Sequence, residues 1–437
     1  MEFVNIPVYA NLPFVFMLLA IAVLPLLTPH FWESNKNKLM VSLVLGIPTA
    51  IWLLSQNLSD VLIHSIFFDY IPFIILLGAL FIISGGIYLD GDLEAKPKVN
   101  LVFLLIGAIL ASLMGTTGAA MLLIRPLLKT NQRRKHKAHI VMFFIAIVAN
   151  CGGLLTPLGD PPLFILYLRG VPFFWFLNLV KEWALCNGLL LTIFYFVEKH
   201  YYKKEKKEDL LLDLEEYKPL RIRGKINFLF LLGVVFAVAF INPLYIPFMK
   251  PHHVSLFLRE IVIVAMAVLS MIFTKEEVRK ANSFNWHPIE EVAYLFFGIF
   301  ITMTPALLYL ETHAREFGFT TIQAFYYASG ALSSFLDNTP TAVTFYSLAK
   351  GLVTQQPHLF NDPVIVGGIP EHLLEGIATA CVFFGSMTYI GNGPNFMVKA
   401  IAEYEKVPMP HFFEYMYKFS LIILLPIFII VQLLLIH

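Results

Sequence analysis

Residues 150–162 read N-C-G-G-L-L-T-P-L-G-D-P-P, and they interrupt an apolar segment long enough to cross a membrane. Proline removes a backbone donor and clashes with the preceding helical turn, while glycine weakens a helix. We therefore predict a helix that enters from residue 139, unwinds in this stretch and resumes near Leu163. At membrane depth, unwound backbone is tolerated only where it is buried in protein or lines a cavity. Other helices must therefore surround this break.

The composition supports a membrane protein. Of the 437 residues, 58% are hydrophobic and 14% are charged, whereas soluble domains contain roughly 25% charged residues. The three cysteines lie in apolar segments without metal-site spacing. No nucleotide-binding loop, metal triad or nucleophile with a base is present, so we expect neither an enzyme nor a resident cofactor. We predict an all-α polytopic protein that contacts the lipid bilayer and binds no nucleic acid.

Crossings need about 20 apolar residues each. They are predicted at 8–28, 39–57, 71–89, 172–198, 226–248, 254–273, 289–310 and 410–436, and two more, at 139–170 and 371–405, contain a break. Two further apolar runs, 99–128 and 319–354, have a small polar centre, and each half is too short to cross alone. We predict that these runs are re-entrant helical hairpins with tips near the midplane. The chain then has about ten crossings and two hairpins.

Three stretches of the first half recur in the second half. Phe73–Gly91 aligns with Ala293–Glu311 at an offset of 220, Ala111–Met121 aligns with Ser333–Val343 at 222, and Thr156–Pro162 aligns with Thr388–Pro394 at 232. We therefore divide the chain into N-terminal scaffold helices (1–70), a first repeat (71–198), a cytoplasmic connector with scaffold helices (199–288) and a second repeat (289–437). Each repeat contains one hairpin and one broken helix.

The basic residues predict the orientation in the membrane. If both hairpins return to the side from which they enter, loops 29–38, 90–98, 129–138, 199–225, 274–288 and 405–409 share one face and hold 22 Lys and Arg. The opposite face holds four, namely Arg169, Lys250, Arg315 and Lys350. Because cytoplasmic loops are rich in Lys and Arg, both termini are predicted outside the cytoplasm and the two repeats inverted. A bacterial inner membrane is the expected location.

Two acids lie where a charge is costly. Asp337 is at the tip of the second hairpin in S-S-F-L-D-N-T-P-T-A, and Asp160 is in the first break. An acid at membrane depth is a functional candidate by default. The alternatives are that Asp337 caps the following helix and that Asp160 only forms a turn before two prolines. Two carboxylates in one desolvated site repel each other, so one of them can hold a proton near neutral pH.

Oxygen-bearing side chains accompany both acids. Hard cations prefer oxygen ligands, and the predicted site for a transported Na⁺ consists of Asp337 and Asp160 with the residues Asn338, Thr339, Asn150, Thr156, Thr116, Thr117, Thr388 and Asn392. Each hydroxyl or amide among them could instead cap a helix, and Asn150 could simply link two helices. Arg125, in the return helix of the first hairpin, could be a counter-charge in a proton-bound state.

These motifs resemble the ion transporter superfamily that includes Na⁺/H⁺ antiporters of the NhaD type, arsenite permeases, the melanosomal P protein and citrate or dicarboxylate carriers. The similarity extends over nearly the whole chain from about residue 40 and depends on 150–162, on 333–342 and on G-x-x-T-x-I-G-x-x-P-N at 385–395. The resemblance implies a homodimer with an elevator motion, and it implies that Asp337 and Asp160 occupy positions of family ion-site acids.

The sequence departs from both kinds of relative. The antiporters commonly carry Asp-Asn in the first hairpin too, where this chain has Gly115-Thr116, and the dicarboxylate carriers have Ser-Asn-Thr where this chain has Asp337-Asn338-Thr339. An Asp where a substrate carboxylate docks repels it, which favours cation exchange. The leading hypothesis is a Na⁺(Li⁺)/H⁺ antiporter, and the alternative is a Na⁺- or H⁺-coupled carrier of a small anion such as a dicarboxylate, citrate or an oxyanion.

Overall fold

The computed structural model describes residues 6–206, 218–249, 257–360 and 362–437. Almost all of its regular structure is helical, and its strands form only two short two-stranded sheets within the described residues. Helical spans of suitable length and hydropathy for a membrane are Val8–Pro25, Asn35–Ser55, Ser59–Gly85, Pro97–Met114, Ala138–Leu155, Phe173–Tyr202, His287–Thr312 and Phe412–Leu435. The prediction of an all-α polytopic membrane protein is confirmed.

The elements follow each other in this order. The first half contains α1 (Leu12–Leu27), α2 (Pro29–Trp32), α3 (Asn35–Ser55), α4 (Ser59–His64), α5 (Ile71–Gly85), β1 (Tyr88–Asp92), α6 (Pro97–Met114), α7 (Thr116–Thr130), α8 (Ala138–Ile147), α9 (Pro161–Leu168) and α10 (Val180–Tyr202). The second half contains β2 (Lys218–Arg223), α11 (Ile226–Phe240), α12 (Leu258–Phe273), α13 (Glu276–Ala281), α14 (His287–Thr312), α15 (Ile322–Ser333), α16 (Asn338–Gln355), β3 (Ile365–Val366), β4 (Ile369–Pro370), α17 (Glu371–Phe384), α18 (Gly393–Tyr404), α19 (Phe412–Tyr415) and α20 (Leu425–Leu435).

Both predicted hairpins are pairs of helices that fold back on themselves. The expectation that each half is too short to cross alone is wrong for the first half of the first hairpin, because α6 has the length and hydropathy of a membrane span. In the first hairpin, α6 and α7 are joined at Gly115, whose φ of 82° is readily adopted only by glycine. The open end is closed by Asn100 and Asn131, whose amides exchange hydrogen bonds of 2.9 and 2.8 Å. In the second hairpin, α15 and α16 pack together through Phe325 and Phe345, with ring centroids 6.1 Å apart.

Both predicted breaks are also present, close to their expected positions. The first helix stops at Ile147, continues as a 3-10 turn at Cys151–Leu155 and resumes as α9 at Pro161. The second stops at Phe384, passes through a 3-10 turn at Gly385–Met387 and resumes as α18 at Gly393. Both helices therefore end at the glycine- and proline-containing stretches that the sequence marks as breaks.

The helices pack into two groups. Helices α1, α3, α5, α11, α12 and α14 contact one another, and we call them the scaffold group. The hairpins, the broken helices, α10 and α20 form the second, which we call the core group. Helices α5 and α14 of the scaffold group contact α7, α9 and α16 of the core group. One face of the scaffold group therefore supports the hairpins and the first break.

One predicted boundary is wrong, and two predicted segments lie partly outside the described residues. The third crossing begins at Ser59 rather than residue 71 and runs through a π-helical segment, Ser65–Tyr70, into α5. The predicted boundary at residue 70 therefore lies within a continuous helix. In the predicted connector, β2 pairs antiparallel with β1, while residues 207–217 lie outside the description. The same holds for residues 250–256, which include the predicted start of the crossing at 254–273.

Candidate functional site

The two hairpins and the two breaks meet at the carboxylate of Asp160. Its Oδ1 accepts hydrogen bonds from the Thr116 hydroxyl at 2.9 Å and from the Asn392 amide at 3.1 Å. Its Oδ2 accepts one from the Asn338 amide at 2.8 Å. The side chain is buried, with 1% of the Asp160 surface exposed. We call Asp160, Thr116, Asn338 and Asn392 the central cluster.

Every member of the central cluster lies at the start of a helix. Thr116 and Asn338 are the first residues of α7 and α16, while Asp160 and Asn392 are the N-cap residues of α9 and α18. A helix N-terminus carries partial positive charge and unpaired N–H groups. Four such termini around one point favour negative charge there, which lowers the cost of burying the Asp160 carboxylate.

The two repeats contribute equivalent positions to this cluster. Thr116 corresponds to Asn338 at the offset of 222, and Asp160 corresponds to Asn392 at the offset of 232. The centre therefore pairs one acid with three neutral polar groups at matching places. The sequence repeat predicts which positions correspond, and the structure brings these four together.

Thr156 and Thr388 lie outside the central cluster and make equivalent contacts in the two repeats. The Thr156 hydroxyl donates to the carbonyl oxygen of Ser112, and the Thr388 hydroxyl donates to that of Ser334. Each hydroxyl also accepts a backbone N–H two residues further along its own break. These threonines therefore fasten each break to the hairpin of the same repeat, in agreement with the capping alternative.

The breaks can take this shape because two glycines have no side chain. A Cβ atom built on Gly159 would lie 1.9 Å from the carbonyl oxygen of Gly153, and one on Gly391 would lie 2.6 Å from that of Gly385. Real Cβ atoms essentially never approach closer than 3.0 Å. Each break is thus a compact loop that no larger residue could form at these positions.

Asn150 links the two breaks. Its amide nitrogen donates to Asn395 Oδ1 at 2.6 Å, and its own Oδ1 accepts from the Asn392 amide at 3.1 Å. Asn392 also donates to Asp160, so Asn150 is connected to the carboxylate through the Asn392 amide. Of the two interpretations of Asn150, this geometry favours the link between helices.

Asp337 adopts a different role from Asp160. It is half-buried, and its Oδ1 accepts the backbone N–H of Thr339 at 2.9 Å, which makes Asp337 the N-cap of α16. No hydrogen bond joins the two carboxylates within the described part of the chain; the adjacent Asn338 contacts Asp160 instead. The Thr339 hydroxyl is buried without a hydrogen-bond partner among the described residues. Thr117 is half-buried beside Thr116 and forms no side-chain hydrogen bond to the described cluster.

Sequence reasoning missed two residues that orient the cluster. The Ser333 hydroxyl lies 2.7 Å from Asn338 Oδ1, so the amide nitrogen of Asn338 faces Asp160. Asn395 donates to the carbonyl oxygens of Gly385 and Thr388 at 2.8 and 2.9 Å, which holds the second break closed. Ser333 lies in the motif at 333–342 and Asn395 in the motif at 385–395, so membership of these motifs could have identified both residues.

The expected counter-charge is elsewhere. The Arg125 guanidinium donates to the backbone carbonyl of Asn282, in the segment between α13 and α14, at 3.2 Å. Among the hydrogen bonds of the described residues, none joins a Lys, Arg or His side chain to Asp160. The central cluster therefore contains one carboxylate and neutral donors.

Comparison with known proteins identifies a transporter family. A family model described as putative citrate transport matches residues 3–436, which is nearly the whole chain. No curated protein matches the chain at a significant level. The match confirms the resemblance to the superfamily that includes the citrate carriers, and the apolar helices indicate an integral membrane protein. The chain belongs to the putative citrate transport family, whose description indicates a secondary transporter of the citrate-transporter type.

Proposed function

We propose that the protein exchanges cytoplasmic Na⁺ or Li⁺ for external H⁺, and that Asp160 holds the proton and the cation in turn. The observation that carries this proposal is the position of Asp160: a buried carboxylate at the meeting point of both hairpins and both breaks, with neutral hydrogen-bond partners. In secondary transporters, broken helices and the repeat interface are where coupling ions bind.

The electrostatics of this position favour binding of a positive charge. Burying an unpaired carboxylate costs several kcal/mol, even after relaxation of the protein. Three hydrogen bonds and four helix N-termini offset part of that cost. A proton or a metal cation at Asp160 would remove the remainder. Because both compete for the same carboxylate, binding of one releases the other, which is the chemistry that exchange requires.

The surrounding groups suit a hard cation. The Thr116 hydroxyl oxygen and the Asp160 carboxylate are oxygen ligands of the kind that such cations prefer. The amides of Asn338 and Asn392 now present nitrogen to the carboxylate, and a half-turn of either would present oxygen. The Asp337 carboxylate and the Thr339 hydroxyl, both adjacent to Asn338 in the chain, extend the oxygen-rich region. We include Asp337 as a second, weaker cation ligand.

Movement of the core group against the scaffold group would expose the central cluster to each side of the membrane in turn. This elevator-type alternating access is part of the proposal. It is supported by the repeated order of a long helix, a hairpin, a broken helix and a second long helix, which occurs once from Ser59 to Tyr202 and again from His287 to Leu435. Inverted repeats of this type allow two conformations that are related by exchange of the repeats.

A cation-coupled citrate carrier is the second candidate, and the family description favours it. The four helix N-termini would also suit a substrate carboxylate. However, they surround the carboxylate of Asp160 itself, and no Lys or Arg of the described residues is bonded to the cluster. A citrate ion would therefore meet a negative charge at the place where it would dock. The site supports cation exchange better.

Purified protein in liposomes with a preset pH gradient separates the two candidates. The exchanger predicts that Na⁺ or Li⁺, added on the side opposite the protons, dissipates the gradient, and that Asp160→Asn abolishes this response. Asp60→Asn, the same change at an exposed acid of α4, is the matched control and should retain activity. A lack of cation response, together with uptake of labelled citrate that requires Na⁺ or H⁺, would reject exchange and support the second candidate.

A further inference from the structure

Segment 131–137, which joins α7 to α8, packs against the end of α10 through two buried acids. Glu198 pairs with Arg134 through two hydrogen bonds, one of which joins Arg134 Nη2 and Glu198 Oε2 at 3.0 Å. Glu205 accepts two backbone N–H groups of the segment at 3.0 and 2.8 Å. Glu198 is 0% exposed and Glu205 only 9%. Both carboxylates are therefore turned inward, where protein groups already pair with them.

The lysines of the same region are exposed. Five of them lie at the end of α7, in segment 131–137 and at the end of α10, and we call them the basic surface: Lys129, Lys135, Lys199, Lys203 and Lys206. None of the five forms a salt bridge with a described residue. Glu94, which precedes α6, is paired with Lys96. The described acids around the basic surface therefore leave its positive charge uncompensated.

The basic surface lies where apolar spans begin or end. The spans are Pro97–Met114, Ala138–Leu155 and Phe173–Tyr202. Tyr201 and Tyr202 close the last of them, and Lys204 Nζ lies 5.3 Å from the centroid of the Tyr201 ring. Tyrosines at the ends of membrane helices sit at the level of the lipid head groups. The five lysines are therefore at the depth of the lipid phosphates.

One face of α10 has the two-part character of a lipid. Phe196 is 65% exposed. Lys199 and Lys203 follow it by three and seven residues, so all three side chains lie along the same face of the helix. This face offers an apolar contact below and two ammonium groups above. A soluble anion would use only the upper part, whereas a phospholipid would use both.

We propose that the basic surface binds anionic phospholipids of the adjacent leaflet, with the head-group phosphate on the lysines and an acyl chain along Phe196. Clusters of basic residues beside a membrane helix attract anionic lipids. Because segment 131–137 connects α7 with α8, a lipid bound here contacts both a hairpin and a broken helix. The inference does not depend on the exchange reaction and holds equally for a citrate carrier.

Native mass spectrometry of the full chain in non-ionic detergent measures the binding. Phosphatidylglycerol is the anionic probe, and phosphatidylcholine, which has no net charge, is the lipid control. The wild type should bind phosphatidylglycerol more tightly. Each basic residue near an anionic surface contributes roughly a factor of five, so Lys135→Gln/Lys199→Gln/Lys203→Gln should weaken phosphatidylglycerol binding roughly 10- to 100-fold and leave phosphatidylcholine binding unchanged.

Two further variants separate the site from general charge and from damage to the fold. Lys36→Gln/Lys225→Gln/Lys275→Gln removes the same charge from three exposed lysines outside the basic surface and should bind phosphatidylglycerol like the wild type. Replacing Lys135, Lys199 and Lys203 by arginine keeps the charge and should also retain binding. Thermal unfolding of each preparation reports whether it is folded.

Four results would overturn the inference. They are equal affinity of the wild type for the two lipids, unchanged binding in the first glutamine variant, an equal loss in both glutamine variants, and a loss in the arginine variant as large as in the first glutamine variant. Competition is the last test. Displacement of phosphatidylglycerol by an equal concentration of inorganic phosphate or of a short DNA duplex would assign the surface to a soluble anion and reject the lipid.

Discussion

A methyl group on Gly385 should disable transport without disturbing the fold. Gly385 is helical, with φ −55° and ψ −24°, so alanine fits its backbone conformation. A Cβ atom there would lie 2.3 Å from Asn338 Oδ1 and 2.7 Å from Asn338 Nδ2. Real Cβ atoms stay at least 3.0 Å from such neighbours, so the amide must retreat by at least 0.7 Å, the difference between 3.0 and 2.3 Å.

This displacement of the Asn338 amide should weaken its hydrogen bond to Asp160. Asn338 donates to Asp160 Oδ2 at 2.8 Å while its own Oδ1 lies 2.7 Å from the Ser333 hydroxyl, and a shifted amide cannot keep both contacts. A hydrogen bond to a charged group contributes about 1.5–3 kcal/mol. Since about 1.4 kcal/mol is a factor of ten, we expect Gly385→Ala to reduce the rate of cation-dependent proton flux roughly 10- to 150-fold.

The assay is proton flux in liposomes, beside thermal unfolding of the same preparation. Gly393→Ala is the matched control, because Gly393 directly follows the same break and its added Cβ would have nothing within 4 Å. The control should transport like the wild type, and both variants should unfold near the wild-type temperature. Wild-type flux in Gly385→Ala would refute the claim that the Asn338 contact positions the transport site.

Two further changes test the supports of the site. Glu198→Gln should lower the free energy of unfolding by about 3–5 kcal/mol, because it breaks a fully buried ion pair with Arg134. The same change at the exposed Glu403 should lower it by less than about 1 kcal/mol. Denaturant unfolding followed by tryptophan fluorescence measures both changes, and equal effects would contradict the argument that burial makes the Glu198 pair more important. Thr156→Val should lower the free energy of unfolding by about 1–3 kcal/mol, because the Ser112 carbonyl and the Leu158 N–H both lose their hydrogen bond to the Thr156 hydroxyl. Thr156→Ser keeps the hydroxyl and should unfold like the wild type. A serine variant as unstable as the valine variant would show that the methyl group matters and the hydroxyl does not.

Much of the fold follows from local chemistry. The hairpins were expected at 99–128 and 319–354 and occur at Pro97–Thr130 and Ile322–Gln355, because apolar runs with a central turn signal have few other solutions. The start of the third crossing could not be predicted in the same way. Asp60, His64 and Asp69 give residues 59–70 the composition of a loop, and the charge of Asp69 is compensated by Arg169, a hundred residues away.

The positions of the candidate site follow from the sequence motifs, but the contacts among them do not. Asp160 and Asp337 are both acids in interrupted apolar sequence, and nothing local distinguishes them. The structure turns Asp337 to cap its own helix and directs the neighbouring Asn338 to Asp160. That choice depends on tertiary packing of the second hairpin against the first break, which a single sequence does not encode in any short motif.

The central claim is that a proton and a cation compete for Asp160, and proton release measures that competition directly. Purified protein in weakly buffered detergent solution is titrated with NaCl while a pH-sensitive dye follows the protons, with choline chloride as the salt control. The account predicts that Na⁺ releases protons from the wild type and from Asp60→Asn, that Asp337→Asn retains part of the release, and that Asp160→Asn shows none. Proton release from Asp160→Asn equal to that of the wild type would contradict it.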